Sequence, residues 1–152
     1  MYETLVFIHV VAASLLVGAA ALLFLLELRA LAAKDPAVAG GRTRSLAEAG
    51  NYAGPRLFLP AALALIVFGV WAAVDVDLDF GDNGWLHVGF AVWFIAVLVG
   101  TPLHALNGKA MKTSLEAGHA DAARRVLTRE TVISGVELAL LVFAVWAMVA
   151  KP

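Results

Sequence analysis

The chain has 152 residues, 62% of them hydrophobic, with eleven Lys and Arg against twelve Asp and Glu and a formal net charge of −1. That apolar share lies well beyond the roughly 45–50% of a soluble domain and assigns the chain to the membrane. Cysteine is absent, which excludes disulfides, iron–sulfur clusters and thiolate zinc sites and leaves histidine as the main candidate metal ligand.

Four apolar runs, residues 5–26, 57–74, 85–106 and 132–150, each approach the ~20 residues that a helix needs to cross the hydrocarbon core. They lack the period-two alternation of a barrel strand, and inside lipid the backbone must satisfy its own hydrogen bonds, so helices are the workable solution. The prediction is an all-α fold: a four-transmembrane-helix bundle forming a single integral membrane domain over residues 1–152.

The first run is interrupted only by His9 and Ser14. At ~100° per residue, Ala13, Leu16 and Ala20 share the face of His9, while Ser14 and Gly18 lie opposite. Those two, four residues apart, form a small-xxx-small pair, expected to pack within the bundle in preference to joining two subunits as a homodimer. The run exceeds the usual ~7–15 residues of a signal peptide and Met1-Tyr2-Glu3 supplies no basic side chain, so a span is expected here, not a cleaved leader.

From residue 27 to residue 56 the chain turns polar. Asp35-Pro36 and Gly40-Gly41 read as breakers, and Ser45-Leu46-Ala47-Glu48 as the capping box of a short helix. Pro55 suits the first turn of the second span, and Pro60, slightly inside, suits a bend. The loop over residues 75–84 carries Asp75, Asp77, Asp79 and Asp82, but it lacks the twelfth-position Glu of an EF-hand and reads as a solvated acidic turn.

The third run holds His87, with Ala91, Phe94 and Leu98 on its face, and ends at Thr101-Pro102-Leu103-His104. Residues 107–129 read as an amphipathic segment with exposed charges and a solvated His119. The fourth run holds Ser134 and Glu137, taken here as the only carboxylate well inside any span. An acid at that depth costs a few kcal/mol on insertion scales and is a functional candidate by default, with Arg56, Ser134 and His104 as its possible partners.

Charge sets the expected orientation. Ten of the eleven basic residues lie between spans one and two (Arg29, Lys34, Arg42, Arg44, Arg56) or between spans three and four (Lys109, Lys112, Arg124, Arg125, Arg129). The positive-inside rule makes both loops cytoplasmic, with both termini and the acidic loop outside a multi-pass cell-membrane protein, and Trp71, Trp85 and Trp146 at the outer interface. Lys151 is then the one basic residue on the outer side. These cations imply no nucleic-acid partner.

The chain also echoes itself. Residues 62–74 read ALALIVFGVWAAV and residues 137–149 read ELALLVFAVWAMV, identical at nine of thirteen positions, while Phe7-Ile8-His9-Val10 resembles Trp85-Leu86-His87-Val88. An internal two-helix duplication is expected, with one repeat over about residues 4–75, the other over about 84–150, and a pseudo-two-fold axis along the membrane normal. His9 and His87 would then lie at matched depth. On diagonal helices they could offer two imidazoles to the iron of one haem b, walled by Ala13, Leu16, Ala20, Ala91, Phe94 and Leu98.

That expectation describes a haem-binding redox or electron-transfer protein, with a haem-dependent oxidoreductase as its enzymatic form and a quinone or respiratory-chain partner. Two alternatives stay open: a copper- or cation-handling transport protein, and a cofactor-free accessory subunit. Glu137, Arg56 and His104 are the candidate intramembrane polar residues.

Ile8-His9-Val10 with Gly18, Gly84-Trp85-Leu86-His87-Val88 and His104 are the features in which the chain resembles DUF2269 proteins over nearly its full length. The resemblance extends to the CopD-like copper-resistance domain and to HemJ-type protoporphyrinogen oxidases, which share a first-span histidine and a tryptophan-x-histidine opening of the third span. The HemJ likeness implies haem b at His9 and His87. Gly89 stands where that family carries a lysine implicated in activity, which argues against porphyrinogen oxidation. The CopD likeness implies copper handling, for which Met148 is a thin soft-ligand set.

Overall fold

The computed structural model describes residues 1–150; Lys151, the outer cation of the sequence reading, lies outside them. Six α-helices form: α1 (Tyr2–Leu31), α2 (Pro36–Ala53), α3 (Leu59–Asp75), α4 (Gly84–Phe94), α5 (Thr101–Glu116) and α6 (Ala120–Ala150). A wide π turn over Gly54–Phe58 fuses α2 to α3, and another over Ile95–Gly100 fuses α4 to α5. The result is four rods long and apolar enough to cross a membrane, as composition predicted. With about 1.5 Å of rise per residue, the 30 residues of α1 reach ~45 Å, well past a ~30 Å hydrocarbon core. The helices therefore run beyond the apolar stretches and carry polar side chains into the bundle at one end.

Proline accounts for both π turns. Pro60 and Pro102 have no N–H to give the carbonyls four residues back, those of Arg56 and Leu98, and their rings crowd those carbonyls. Each helix relieves the conflict by widening just before the proline. The extra residue in a π turn rotates everything after it by about 100°, so the two halves of the third rod present different sequence faces to the interior.

The polar connector differs from expectation. Asp35 caps α2, its carboxylate accepting the Ala37 N–H at 2.8 Å, with Pro36 in the first turn. Gly40-Gly41 and the expected capping box at Ser45–Glu48 both lie inside α2, so neither breaks nor starts a helix. Packing explains it: α2 docks on α5 and buries Thr43 and Ala47, which outweighs about 1 kcal/mol per helical glycine. The end of α1 is closed by basic side chains from both loops, Arg42 donating to the Arg29 carbonyl at 2.9 Å and Arg124 to the Leu31 carbonyl at 2.7 Å.

The rods stand in ring order, so the first and third are diagonal. α1 packs on α3 and α6, α6 on α4 and α5, and α2 on α5, while α3 and α4 touch only sparsely. At Gly135 the α1–α6 approach is close enough that a Cβ would lie 3.1 Å from the Phe24 ring. Ser14 and Gly18 do not serve such an approach within the bundle. Both are exposed, Gly18 faces open space, and the Ser14 hydroxyl bonds back to the Val10 carbonyl at 2.8 Å. Leu22, Leu25, Val67, Leu98 and Val142 are likewise exposed, the apolar coat that a bilayer requires. In the acidic loop, Asp79 organises a turn, accepting the Gly81 N–H at 2.7 Å on its carboxylate and the Asn83 amide at 2.6 Å on its carbonyl.

Candidate functional site

The two histidines singled out by sequence do not meet. His9 turns from α1 toward α3, where its Nδ1 donates to the Leu65 carbonyl at 2.8 Å. The contact depends on Gly69, since a Cβ there would lie 2.7 Å from that nitrogen. His87 is exposed on α4, and so are Ala91, Phe94 (50%) and Leu98 (63%) of its face. The interior side of α4 is instead Gly89, Val92, Trp93 and Ala96, roughly 180° around the helix. Gly89, far from offering a charged group, lies under Met148, whose methyl would be 2.6 Å from a Cβ.

This arrangement does not fit haem b held between His9 and His87. His87 stands on the opposite side of its helix from the interior, and half the expected wall, Ala91, Phe94 and Leu98, faces outward. Ala13, Leu16 and Ala20 of α1, by contrast, do line an interior chamber. Among the described residues no group of three or more His, Asp or Glu is placed to hold a metal ion.

That chamber, about 370 Å³, runs along the bundle from Met148 near the chain termini to Met111 and Leu127 at the end bearing the basic loops. Its walls are apolar for most of their length. Toward the basic end they become polar, with Glu27 of α1, His104 of α5, and Glu130, Ser134 and Glu137 of α6. On α6 these three follow i, i+4, i+7 spacing and so project from one face. Glu130 and Glu137 are separated by about 10 Å of helix, which makes the polar end a track rather than a point.

His104 is the centre of the track. Its Nδ1 lies 2.6 Å from Glu130 Oε1 and its Nε2 lies 2.5 Å from Glu137 Oε2. The π turn and Gly100 make this possible: the turn swings His104 inward, and Gly100 leaves room for the Glu137 carboxylate, which would sit 3.2 Å from a Cβ. The second oxygen of Glu130 accepts the Asn107 amide at 2.5 Å, and the Asn107 carbonyl oxygen accepts a bond from the exposed Arg129 guanidinium. Ser134 donates to Glu27 Oε1 at 3.0 Å.

Of the expected polar residues, the structure joins Glu137 to His104 and leaves Arg56 out. Arg56 is exposed and stacks on Tyr52, 4.4 Å from the ring centroid. Ser134 serves Glu27, not Glu137. Glu137 is also joined by two further carboxylates buried in the bundle, Glu27 and Glu130, 6% and 7% exposed, just beyond the apolar runs. Sequence reasoning missed Glu27, Asn107, Arg129 and Glu130 by closing the first span at residue 26 and opening the fourth at residue 132. The i, i+4, i+7 series on α6 was the available signal.

A sequence profile matching nearly the whole chain settles its kinship. The chain belongs to the DUF2269 family. That family is described as a predicted integral membrane protein, and its profile covers residues 3–152. No curated protein and no solved structure matches the chain. The family description agrees with the four membrane-crossing rods and assigns no chemistry to the track.

Proposed function

We propose that this DUF2269 protein handles protons inside the membrane, passing them between its interior chamber and the end that carries the basic loops, as the proton-coupled core of a small membrane carrier. One observation supports this above all: His104 is held at both ring nitrogens by carboxylates. Two hydrogen bonds need two protons. An imidazolium between two carboxylates contains them, and so does a neutral imidazole with one glutamic acid, so the two states interconvert by moving a proton along one short bond.

A proton arriving on Glu137 from the chamber and one leaving Glu130 to water at the end that bears the basic loops restore the starting charge. Asn107 fixes Glu130 for that exit, and Arg129 holds a positive charge beside it. Chains of intramembrane Glu and His are characteristic of proton relays. With the basic loops cytoplasmic by the positive-inside rule, the exit opens to the cytoplasm.

The test is proton flux in liposomes containing the purified full chain, driven by a potassium diffusion potential and read by an entrapped pH dye. His104→Gln and Glu137→Gln are expected to reduce the protein-dependent flux about a hundredfold. Equal flux in both variants would end this reading. Visible spectra of the same preparation address the haem b expectation: a Soret band abolished by His9→Ala and unchanged by His104→Gln would move the function to the outer histidines.

A further inference from the structure

We propose that the ligand of the chamber is a lipophilic organic cation whose ammonium head binds Glu27 and which a proton displaces. Glu27 stands apart from the relay. It is 6% exposed, its Oε1 accepts from Ser134 at 3.0 Å, and its Oε2 is buried with no hydrogen-bond partner among the described residues. The neighbouring Thr131 hydroxyl commits its hydrogen to the Leu127 carbonyl at 2.9 Å. A buried carboxylate oxygen left bare is costly unless a donor comes from elsewhere.

Charge narrows the class of donor. Facing Glu27 across the chamber are Glu130 and Glu137 on α6 and His104 on α5; α2, α3 and α4 contribute only uncharged residues to the lining. Three carboxylates thus share one imidazole, and that imidazole is engaged by the other two. Among the described residues no basic side chain is bonded to Glu27, and the nearby His104 is committed to the other two carboxylates. An N–H-bearing cation satisfies both its charge and its unfilled acceptor, whereas an anion would be repelled and a neutral hydroxyl would fill the acceptor while leaving the charge unbalanced.

The rest of the chamber suits the remainder of such a molecule. About 370 Å³ of space walled by Leu16, Ala20, Phe58, Val97 and Leu141 accepts an alkyl or aromatic body of small-molecule size. A membrane-dissolved ligand also needs a lateral way in, and α3 and α4 touch only sparsely. The Trp93 indole crosses that seam to donate to the Ala62 carbonyl at 2.8 Å. That bond, with Val97 packed against the cluster of Leu16, Ala61 and Ala62, closes the seam, so an entering ligand passes by displacing the indole.

Coupling follows from charge balance. One positive charge neutralises Glu27, so a cation entering expels a proton and a proton entering expels the cation, with no net charge left behind. The coupling half of this inference rests on the relay proposed above; the binding half does not.

The experiment uses the full-length protein in nanodiscs and reads tryptophan fluorescence against empty nanodiscs. Dodecylammonium is compared with dodecanol and dodecanoate, which have the same chain length and a neutral or anionic head. Saturable dodecylammonium binding about tenfold or more tighter than dodecanol is expected, weakening as pH falls, lost in Glu27→Gln and kept in Glu27→Asp. Equal binding of dodecylammonium and dodecanol, or unchanged cation binding in a folded Glu27→Gln protein, overturns the inference. If neither variant folds, the comparison of the three head groups on the wild-type protein decides. His104→Gln separates the two readings: it is expected to abolish flux while leaving dodecylammonium binding intact. Failed cation binding in a protein with normal flux sinks only the ligand.

Discussion

The two helix pairs of this chain carry similar sequence at the end near the chain termini and put it to different use. In the first, His9 reaches over Gly69 to the Leu65 carbonyl at 2.8 Å. In the second, the residue aligned with Gly69 in the echoing stretch is Ala144, which is buried, and His87 stays on the exposed side of α4. The other telling difference in that stretch runs the opposite way. Ala62 contributes only a carbonyl, taken by Trp93, whereas its counterpart Glu137 contributes a carboxylate bound to His104 at 2.5 Å. Sequence likeness between the halves therefore does not imply matched sites. The first half uses its histidine to bind helix to helix, and the second uses a different histidine, deeper in the chain, to build a titratable track.

The contrast predicts a graded series of mutational effects. The largest belongs to Glu130→Ala, which strips the partner from His104 Nδ1 and from the buried Asn107 amide. A loss of about 3–5 kcal/mol is expected, read as a lower unfolding midpoint of the detergent-solubilised protein. An unchanged midpoint would mean that the track does not hold α5 to α6.

Next comes Gly69→Ala, which sets a Cβ 2.7 Å from the His9 ring. Overpacking and the displaced hydrogen bond are expected to cost about 1–3 kcal/mol, most of it recovered when His9 is also alanine. Additive effects in that double mutant would separate Gly69 from His9.

The reciprocal change, Ala144→Gly, is expected to cost about 1 kcal/mol from helix propensity alone and to leave His87 as reactive toward diethylpyrocarbonate as before. The inward face of α4 is held independently by Leu86, Gly89 and Val92, all buried. Protection of His87 in that variant would show that the one methyl keeps it out. Smallest of all is His87→Ala, expected within about 0.5 kcal/mol of wild type because the side chain is exposed.

The all-helical class and the four membrane-crossing rods were legible in the residues alone, because apolar runs of spanning length in a solvent without hydrogen bonds permit little else, whereas the diagonal placement of the first and third rods came from packing. The sequence also marked Glu137 and His104 as polar groups at depth, since the cost of placing them there is a property of the residue type. Which residues join them depended on tertiary structure. Glu27 and Glu130 lie just beyond the apolar runs and enter the bundle only because the rods extend past those runs. The inward faces were likewise decided by packing. A uniform helical period carries His87 and its neighbours toward any chosen side, and only the neighbouring helices, the widened turn before Pro102 and the space left by Gly69 and Gly100 fix which side that is.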